Sequence, residues 1–210
     1  TMFGSVDNPD DYTTILEKHN VTYRLHIDGA YGGFVYPFSN QKSNINFSNP
    51  KISSITIDAH KMLQAPYGTG IFVCRKGLIE NVLTKEAEYV EGMDLTLCGS
   101  RSGANAVAVW MILFTYGAYG WFEKVSILQM RTQFLCNELD KLNIKYFREP
   151  YMNIVTIHAE SIPEKIAEKY DLVPQQHNEN NKWYKIVLMD HVEVEHLTKF
   201  IDELKASVNG

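Results

Sequence analysis

The sequence predicts an α/β fold, and three observations carry that prediction. Short runs rich in β-branched and aromatic residues, "VTYRLHID" (21–28), "SSITID" (53–58) and "GTGIFVCR" (68–75), are each bounded by turn residues. Helical patterns flank them, the arrangement that covers a sheet with helices. Beyond residue 143 the pattern changes to closely spaced strands and helices that read as a smaller α+β unit.

The elements follow in order. Residues 7–20, "DNPDDYTTILEKHN", begin with turn and capping residues and then place Tyr12, Ile15 and Leu16 at helical spacing, which predicts a short amphipathic helix. The first strand run stops at Asp28, before "GAYGGF", and the second stops at Asp58. The punctuated segment "HKMLQAPY" separates the second run from the third. A helix is predicted over 102–118 and another over 120–142. The apolar stretch "ANAVAVWMILFTYGAYGWF" (104–122) within them is broken by Gly117 and Gly120 and carries Asn105, so it reads as a buried helix rather than a membrane span. "IKYFREPYMNIVTIHA" then predicts two strands, "IPEKIAEKY" a helix, "KWYKIVLM" a strand and "EVEHLTKFIDELKAS" a terminal amphipathic helix. "QQHNENN" (175–181) is polar enough for an exposed loop. The expected division is a larger domain over 1–120 and a small α+β domain over 121–210.

Composition narrows the function. With 45% hydrophobic and 21% charged residues and a formal net charge of −5, the 210-residue chain has the make-up of a soluble globular protein. Its basic residues are dispersed, so no electrostatic footprint for nucleic acid or an anionic membrane is visible, and a small-molecule partner is expected. The three cysteines, Cys74, Cys98 and Cys136, are odd in number and far apart, which supports neither a disulfide framework nor a zinc cluster and suits a reducing cytoplasm. The first residues show no signal-peptide pattern. His191 and His196 in "HVEVEH" miss the one-turn pairing of a zinc motif and read as solvated or capping groups. "GAYGGF" and "YGTGIF" match neither nucleotide-binding glycine motif; turn geometry accounts for them.

The chemistry centres on "SSITIDAHKMLQAPYGTGIF". In open α/β sheets ligands bind beyond the carboxyl ends of strands, where both Asp28 and Lys61 fall, so the two could share one crevice. A partly desolvated lysine there is a carbonyl nucleophile, and a carboxylate at a neighbouring strand end would complement a protonated ring nitrogen. Those two roles are what pyridoxal phosphate asks of a protein. Position alone leaves a solvated surface lysine as the ordinary reading.

"HIDGAYGG" followed by the lysine of "DAHK" resembles the cofactor signature of the group II pyridoxal-phosphate-dependent decarboxylases. "IDAHKMLQAPYGTGIF", "GSRSGA", "EPYMNIVTI" and "VLMDHVEVEHLTKFIDELK" are each similar to segments of the archaeal-type tyrosine and aspartate decarboxylases. Sphingosine-phosphate lyases are close relatives of that family. The resemblance covers essentially the whole chain and implies the fold-type I architecture of pyridoxal-phosphate enzymes: part of a mainly parallel sheet with flanking helices, plus a C-terminal α+β small domain. It implies an amino-acid decarboxylase with pyridoxal phosphate as cofactor, in which Lys61 forms the internal aldimine and Asp28 keeps the ring nitrogen protonated. Ala30 would lie against the ring face, and His60 would contact the phosphate or the bonding region. Thr1 would lie near the cofactor, and Ser100 in "GSRSG" would reach the phosphate of the partner subunit of a homodimer. Arg148 is a conceivable carboxylate ligand, with an exposed charge at a strand start as its ordinary reading. Tyr89 precedes "GSRSG" with little room for a long mobile loop and reads as packing.

The resemblance also carries a departure. The N-terminal half of such enzymes, with its phosphate-cradling loop and ring-stacking histidine, has no counterpart in the sequence. The chain therefore reads as a C-terminal half, not active alone, whose apolar surface needs a partner, namely the N-terminal half. Two other readings stay open: a carbon–carbon lyase of the sphingosine-phosphate type, and a non-catalytic remnant that acts as a binding partner.

Overall fold

The computed structural model describes residues 1–82, 101–178 and 180–208. The chain divides into two units, one of Asn8–Pro37 and Gln41–Ala118, the other of Thr1–Asp7, Phe38–Asn40 and Tyr119–Gly210. Tyr89, Cys98 and Ser100 lie outside the described residues.

In the first unit, helix α1 (Pro9–Lys18) starts where the sequence signals it. Asn8 caps it by accepting from the Asp10 N–H, and Pro9 occupies the first turn, where a missing N–H costs nothing. The helix buries Pro9 and Thr13, while Tyr12 and Ile15, apolar by spacing, are exposed. Strand β1 (Leu25–Asp28) pairs in parallel with β2 (Ile52–Asp58), and Asp28 lies opposite Thr56. Residues 21–24, also expected in the first strand, stay outside it, because β2 begins opposite Leu25. Between β1 and β2 the chain makes a 3-10 turn (Gly32–Phe34) and the one-turn helix α2 (Tyr36–Ser39).

Strand β3 (Gly70–Cys74) runs antiparallel to β2, so the sheet, in the order β1-β2-β3, is mixed. The reason lies in the connection: a parallel crossover needs about a dozen residues or more, usually with a helix. Residues 59–69 form a tight loop with no helix. Arg75, just past β3, closes this edge by donating to the carbonyls of Phe47, Asn49 and Ile52.

The two helices predicted over 102–142 form one helical stretch, α3 (Gly103–Lys141), interrupted at Gly117, whose φ of 56° and ψ of −174° are not helical. Glycine tolerates that conformation without a Cβ clash. The expectation of a buried helix fails for the part before the break. Among its residues none is buried, and Val107, Trp110, Met111 and Phe114, at i, i+3, i+4 and i+7, are exposed. Apolar composition makes a face able to be buried, but only other parts of the molecule can cover it. No helix among the described residues is long and apolar enough to cross a membrane.

In the second unit, the remainder of α3 buries Trp121, Val125, Leu128, Thr132, Leu135 and Leu139, a stripe with the period of a helix packed on one side. The unit continues through β4 (Tyr146–Phe147), β5 (Ile154–His158), α4 (Glu164–Lys169), β6 (Val173–Pro174), β7 (Trp183–Val187) and α5 (Val194–Val208). Its antiparallel sheet has the order β4-β5-β7-β6. β6 was not expected; two residues, one of them proline, are too few for a periodic signal. The core joins Leu135 and Leu139 of α3 to Val155 and Ile157 of β5 and to Leu197, Phe200, Ile201 and Leu204 of α5. Asn153, fully buried, extends the β5–β7 pairing: its side-chain amide donates to the Leu188 carbonyl, and the Leu188 N–H donates back to its own carbonyl.

Leu204 is fully buried in this core. Leu204→Ala is expected to lower the stability of the unit by about 2–5 kcal/mol, read as a reduced denaturant midpoint at unchanged slope.

Candidate active site

The site is built where β1 and β2 end side by side. Two backbone hydrogen bonds carry their pairing past the strand ends: the Gly29 N–H donates to Thr56 O at 2.9 Å, and the Asp58 N–H donates to Ala30 O at 3.0 Å. Glycine is required here by closeness rather than by φ. A Cβ on Gly33 would fall 2.8 Å from Ile57 Cγ1, and one on Gly29 3.1 Å from the Thr56 carbonyl oxygen. The glycines of "GAYGG" thus let the turn after β1 lie directly on β2.

That closeness links the predicted residues through a chain of short contacts. Asp28 Oδ1 accepts from the Ala30 N–H at 3.0 Å, Ala30 O accepts from Asp58, and Asp58 Oδ2 lies 2.9 Å from Lys61 Nζ. Asp28 itself is exposed at the end of β1. Asp58 is the residue that sequence reasoning noted only as a strand terminus. The signal for it was the carboxylate three residues before the lysine in "DAHK", a spacing that brings the two groups together only in a turned backbone.

The loop after β2 is turned by the Thr69 carbonyl, which accepts from the N–H groups of Ala59 and His60, and by Lys61 N–H to Asp58 O and Gln64 N–H to Lys61 O. Gln64 and Gly68 adopt positive φ. Ala59, Met62, Leu63 and Ala65 are buried beneath the loop, which leaves His60 and Lys61 on its open side, Lys61 with 40% of its side chain exposed. His60 Nδ1 donates to the Thr69 carbonyl at 3.1 Å. A carbonyl only accepts, so Nδ1 carries the proton and Nε2, 3.9 Å from Asp58 Oδ2, is the nitrogen with the lone pair when the ring is neutral. Tyr67 tilts against the same ring at a centroid distance of 5.2 Å.

On the sheet face carrying Asp28, His26 ties the three strands together. Its Nδ1 is 2.8 Å from Ser54 Oγ, its Nε2 is 3.2 Å from Thr56 Oγ1, and its ring stacks on Phe72. Sequence reasoning missed this brace, for which strand alternation alone gives no cue.

The remaining described candidates belong to the other unit. Thr1 is exposed and belongs to the other unit, as does Arg148. Arg148 is not an exposed charge: it is half-buried and donates to the side-chain carbonyls of Gln129 and Gln133 and to Met152 O. With Gln133, Cys136, Asp140 and Tyr146 it lines an open cleft of about 580 Å³ whose lining includes neither Asp28 nor Lys61. Burial pushes the Cys136 thiol above its ordinary pKa, so that thiol is not a ready nucleophile. His191, in the turn before α5, and His196, in its first turn, are exposed.

The pyridoxal-dependent decarboxylase conserved domain matches residues 1–155. The chain belongs to the pyridoxal-dependent decarboxylase family. Among proteins of that kind, it is 58% identical over 205 residues to a tryptophan decarboxylase of Clostridium sporogenes, an alignment covering 98% of this chain and 49% of the relative. It is 31% identical over 219 residues to a probable L-tyrosine/L-aspartate decarboxylase of Methanocella arvoryzae, covering 98% of this chain and 55% of that one. Among solved structures, a glutamate decarboxylase of Lactobacillus brevis superposes with a TM-score of 0.81 at 17% identity, over 99% of this chain and 52% of that chain. A sphingosine-1-phosphate lyase of Burkholderia pseudomallei gives 0.80 at 18% identity, over 99% and 50%. These likenesses establish the fold, that of pyridoxal-phosphate enzymes. The chain spans about half the length of the relatives it matches.

The residues present fit the cofactor of this family, pyridoxal phosphate. Asp28 ends β1 and Lys61 follows the end of the adjacent parallel strand β2, and the small residues Gly29 and Ala30 after β1 are hydrogen-bonded to the end of β2. Gly33→Ala is expected to lift the turn after β1 off Ile57 and so weaken cofactor binding. Ile57→Ala, which removes the obstructing Cγ1, should restore it in the double variant; spectroscopic titration of the complete enzyme with pyridoxal phosphate reads both.

Proposed function

We propose that this chain is the lysine-bearing half of a pyridoxal-phosphate-dependent decarboxylase of aromatic L-amino acids, with tryptophan as the first substrate to test. The observation that carries the reading is the 58% identity to a tryptophan decarboxylase across 98% of this chain. The strand-end arrangement of Asp28, Ala30, Asp58, His60 and Lys61 supports it.

In this reading Lys61 is the amine that would bond the cofactor aldehyde, its side chain 40% exposed on the open side of the loop after β2. Asp28 would hold the ring nitrogen, and the Ala30 N–H donates to one oxygen of its carboxylate and fixes it in place. On resemblance, Ala30 is assigned to the ring face and His60 to the phosphate or the bonding region. Thr1 and Ser100 are assigned to the cofactor on resemblance. Bound pyridoxal phosphate supplies the electron sink that accepts the pair left on the α-carbon when carbon dioxide departs. The Asp28 carboxylate would stabilise the positive ring nitrogen on which that sink depends, and Lys61 would be the amine that holds the cofactor between turnovers.

The reading includes its partners. Residues 1–120 are assigned to the large cofactor-binding domain and 121–210 to the small domain, in a cytoplasmic homodimer completed by an N-terminal half. The exposed row of Val107, Trp110, Met111 and Phe114 supports the need for such a partner, since an apolar face of that size on a helix calls for cover.

The test uses this chain together with its N-terminal half. Borohydride reduction with pyridoxal phosphate is expected to fix the cofactor on Lys61, and incubation with tryptophan to release carbon dioxide and the corresponding amine. Asp28→Asn should lower kcat by at least ~100-fold. Aldehyde formation from an amino alcohol phosphate, or no specific adduct with both halves present, would overturn the proposal.

A further inference from the structure

The carboxylate of Asp58 has more to do than end a strand. The strand end is held by backbone groups: Asp58 N–H donates to Ala30 O, Asp58 O accepts from Lys61 N–H, and the residue pairs with Gly70 across the sheet. None of these uses the side chain. Yet the side chain is 23% exposed, and a carboxylate so far removed from water needs cationic or hydrogen-bonding company.

Two groups approach the same oxygen, Oδ2: Lys61 Nζ at 2.9 Å and His60 Nε2 at 3.9 Å. His60 has its Nδ1 proton committed to the Thr69 carbonyl, so the neutral ring turns a lone pair, not a proton, toward the carboxylate. Lys61 is therefore the group that satisfies Asp58.

We propose that Asp58 is a positioning residue that holds the amine of Lys61 whenever that amine is not bonded to the cofactor, and so favours displacement of Lys61 by an incoming amine. The proposal rests on the assignment of Lys61 as the cofactor-bonding lysine. In the displacement, the incoming ammonium R–NH3+ forms a new carbon–nitrogen double bond to the cofactor carbon, and the bond from that carbon to Lys61 Nζ breaks. The three protons of the ammonium pass to Lys61, whose nitrogen is uncharged while doubly bonded to the cofactor carbon and leaves as an ammonium; charge and protons balance without a further reactant. The product side of this exchange contains the Lys61 ammonium, which Asp58 stabilises. Removing the carboxylate must then shift the balance back toward the bond between Lys61 and the cofactor.

The sign of this shift separates positioning from a merely structural role. A variant with a damaged site loses its cofactor, or gives it up to a competing amine, more easily. A variant lacking only the counter-charge gives it up less easily.

The experiment titrates the cofactor-loaded complete enzyme, this chain with its N-terminal half, with methylamine. It reads by borohydride reduction and peptide mass analysis the fraction of cofactor fixed on Lys61. In Asp58→Asn and in Asp58→Ala, the methylamine concentration for half-displacement is expected to rise by roughly two- to five-fold, the range for a partly exposed ion pair. Two variants of different shape keep the test decisive if one fails to fold. A half-displacement concentration that is unchanged or lower, with the wild-type adduct on Lys61, would overturn the role of Asp58 alone. An adduct on another residue in the wild-type enzyme would overturn both this proposal and the assignment of Lys61.

Discussion

The arrangement of the site depends on the parallel pairing of β1 and β2 continuing past the point where both strands end. Parallel strands deliver their carboxyl ends to the same edge, so residues that follow them meet without any long-range contact of their own. The bonds from Gly29 to Thr56 and from Asp58 to Ala30 are what turn that coincidence into a fixed geometry. They leave no slack between the turn that carries Asp28 and the loop that carries Lys61. Glycine at position 33 follows from the same constraint, since any side chain there would push against Ile57.

Rigidity of this kind suits bond-making chemistry. The loop of residues 59–69 is anchored on one side by buried Met62 and Leu63 and turned on the other by the Thr69 carbonyl, so Lys61 swings on its own side chain rather than on a mobile backbone. His26 plays a matching part beneath the site, joining β1 to two hydroxyls of β2 and to the Phe72 ring of β3.

Much of this was legible in the sequence where local rules decide. The strand ends at Asp28 and Asp58, the break at Gly117 and the α5 stripe of Leu197, Phe200, Ile201 and Leu204 follow from period, capping and glycine chemistry. The placement of Asp28 and Lys61 at or just past the ends of neighbouring strands was equally legible. What was not legible depends on partners distant in sequence. The residues over 104–118 are apolar enough for a core, yet exposed, because burial is a property of what lies opposite and composition reports only one side of it. Arg148 was misread for a similar reason: its amide partners, Gln129 and Gln133, come from a different element. The ion pair of Asp58 and Lys61 was hidden because a three-residue spacing brings side chains together in a helix, whereas these residues sit in a strand terminus and a tight loop.

The strength of that ion pair matters as much as its presence. A lysine that must attack a carbon, leave it and return cannot be trapped as an ammonium, nor can it be left without a partner beside a mostly buried carboxylate. A fully buried pair would cost several kcal/mol to break and would hold the amine out of the reaction. At 40% and 23% exposure, water screens the attraction to about 1 kcal/mol or less. That is enough to bias the exchange of one amine for another by a few-fold and too little to arrest it. The open side of the loop after β2 and the buried side beneath it together set this intermediate strength, so the same packing that aims Lys61 also limits how tightly Asp58 can hold it.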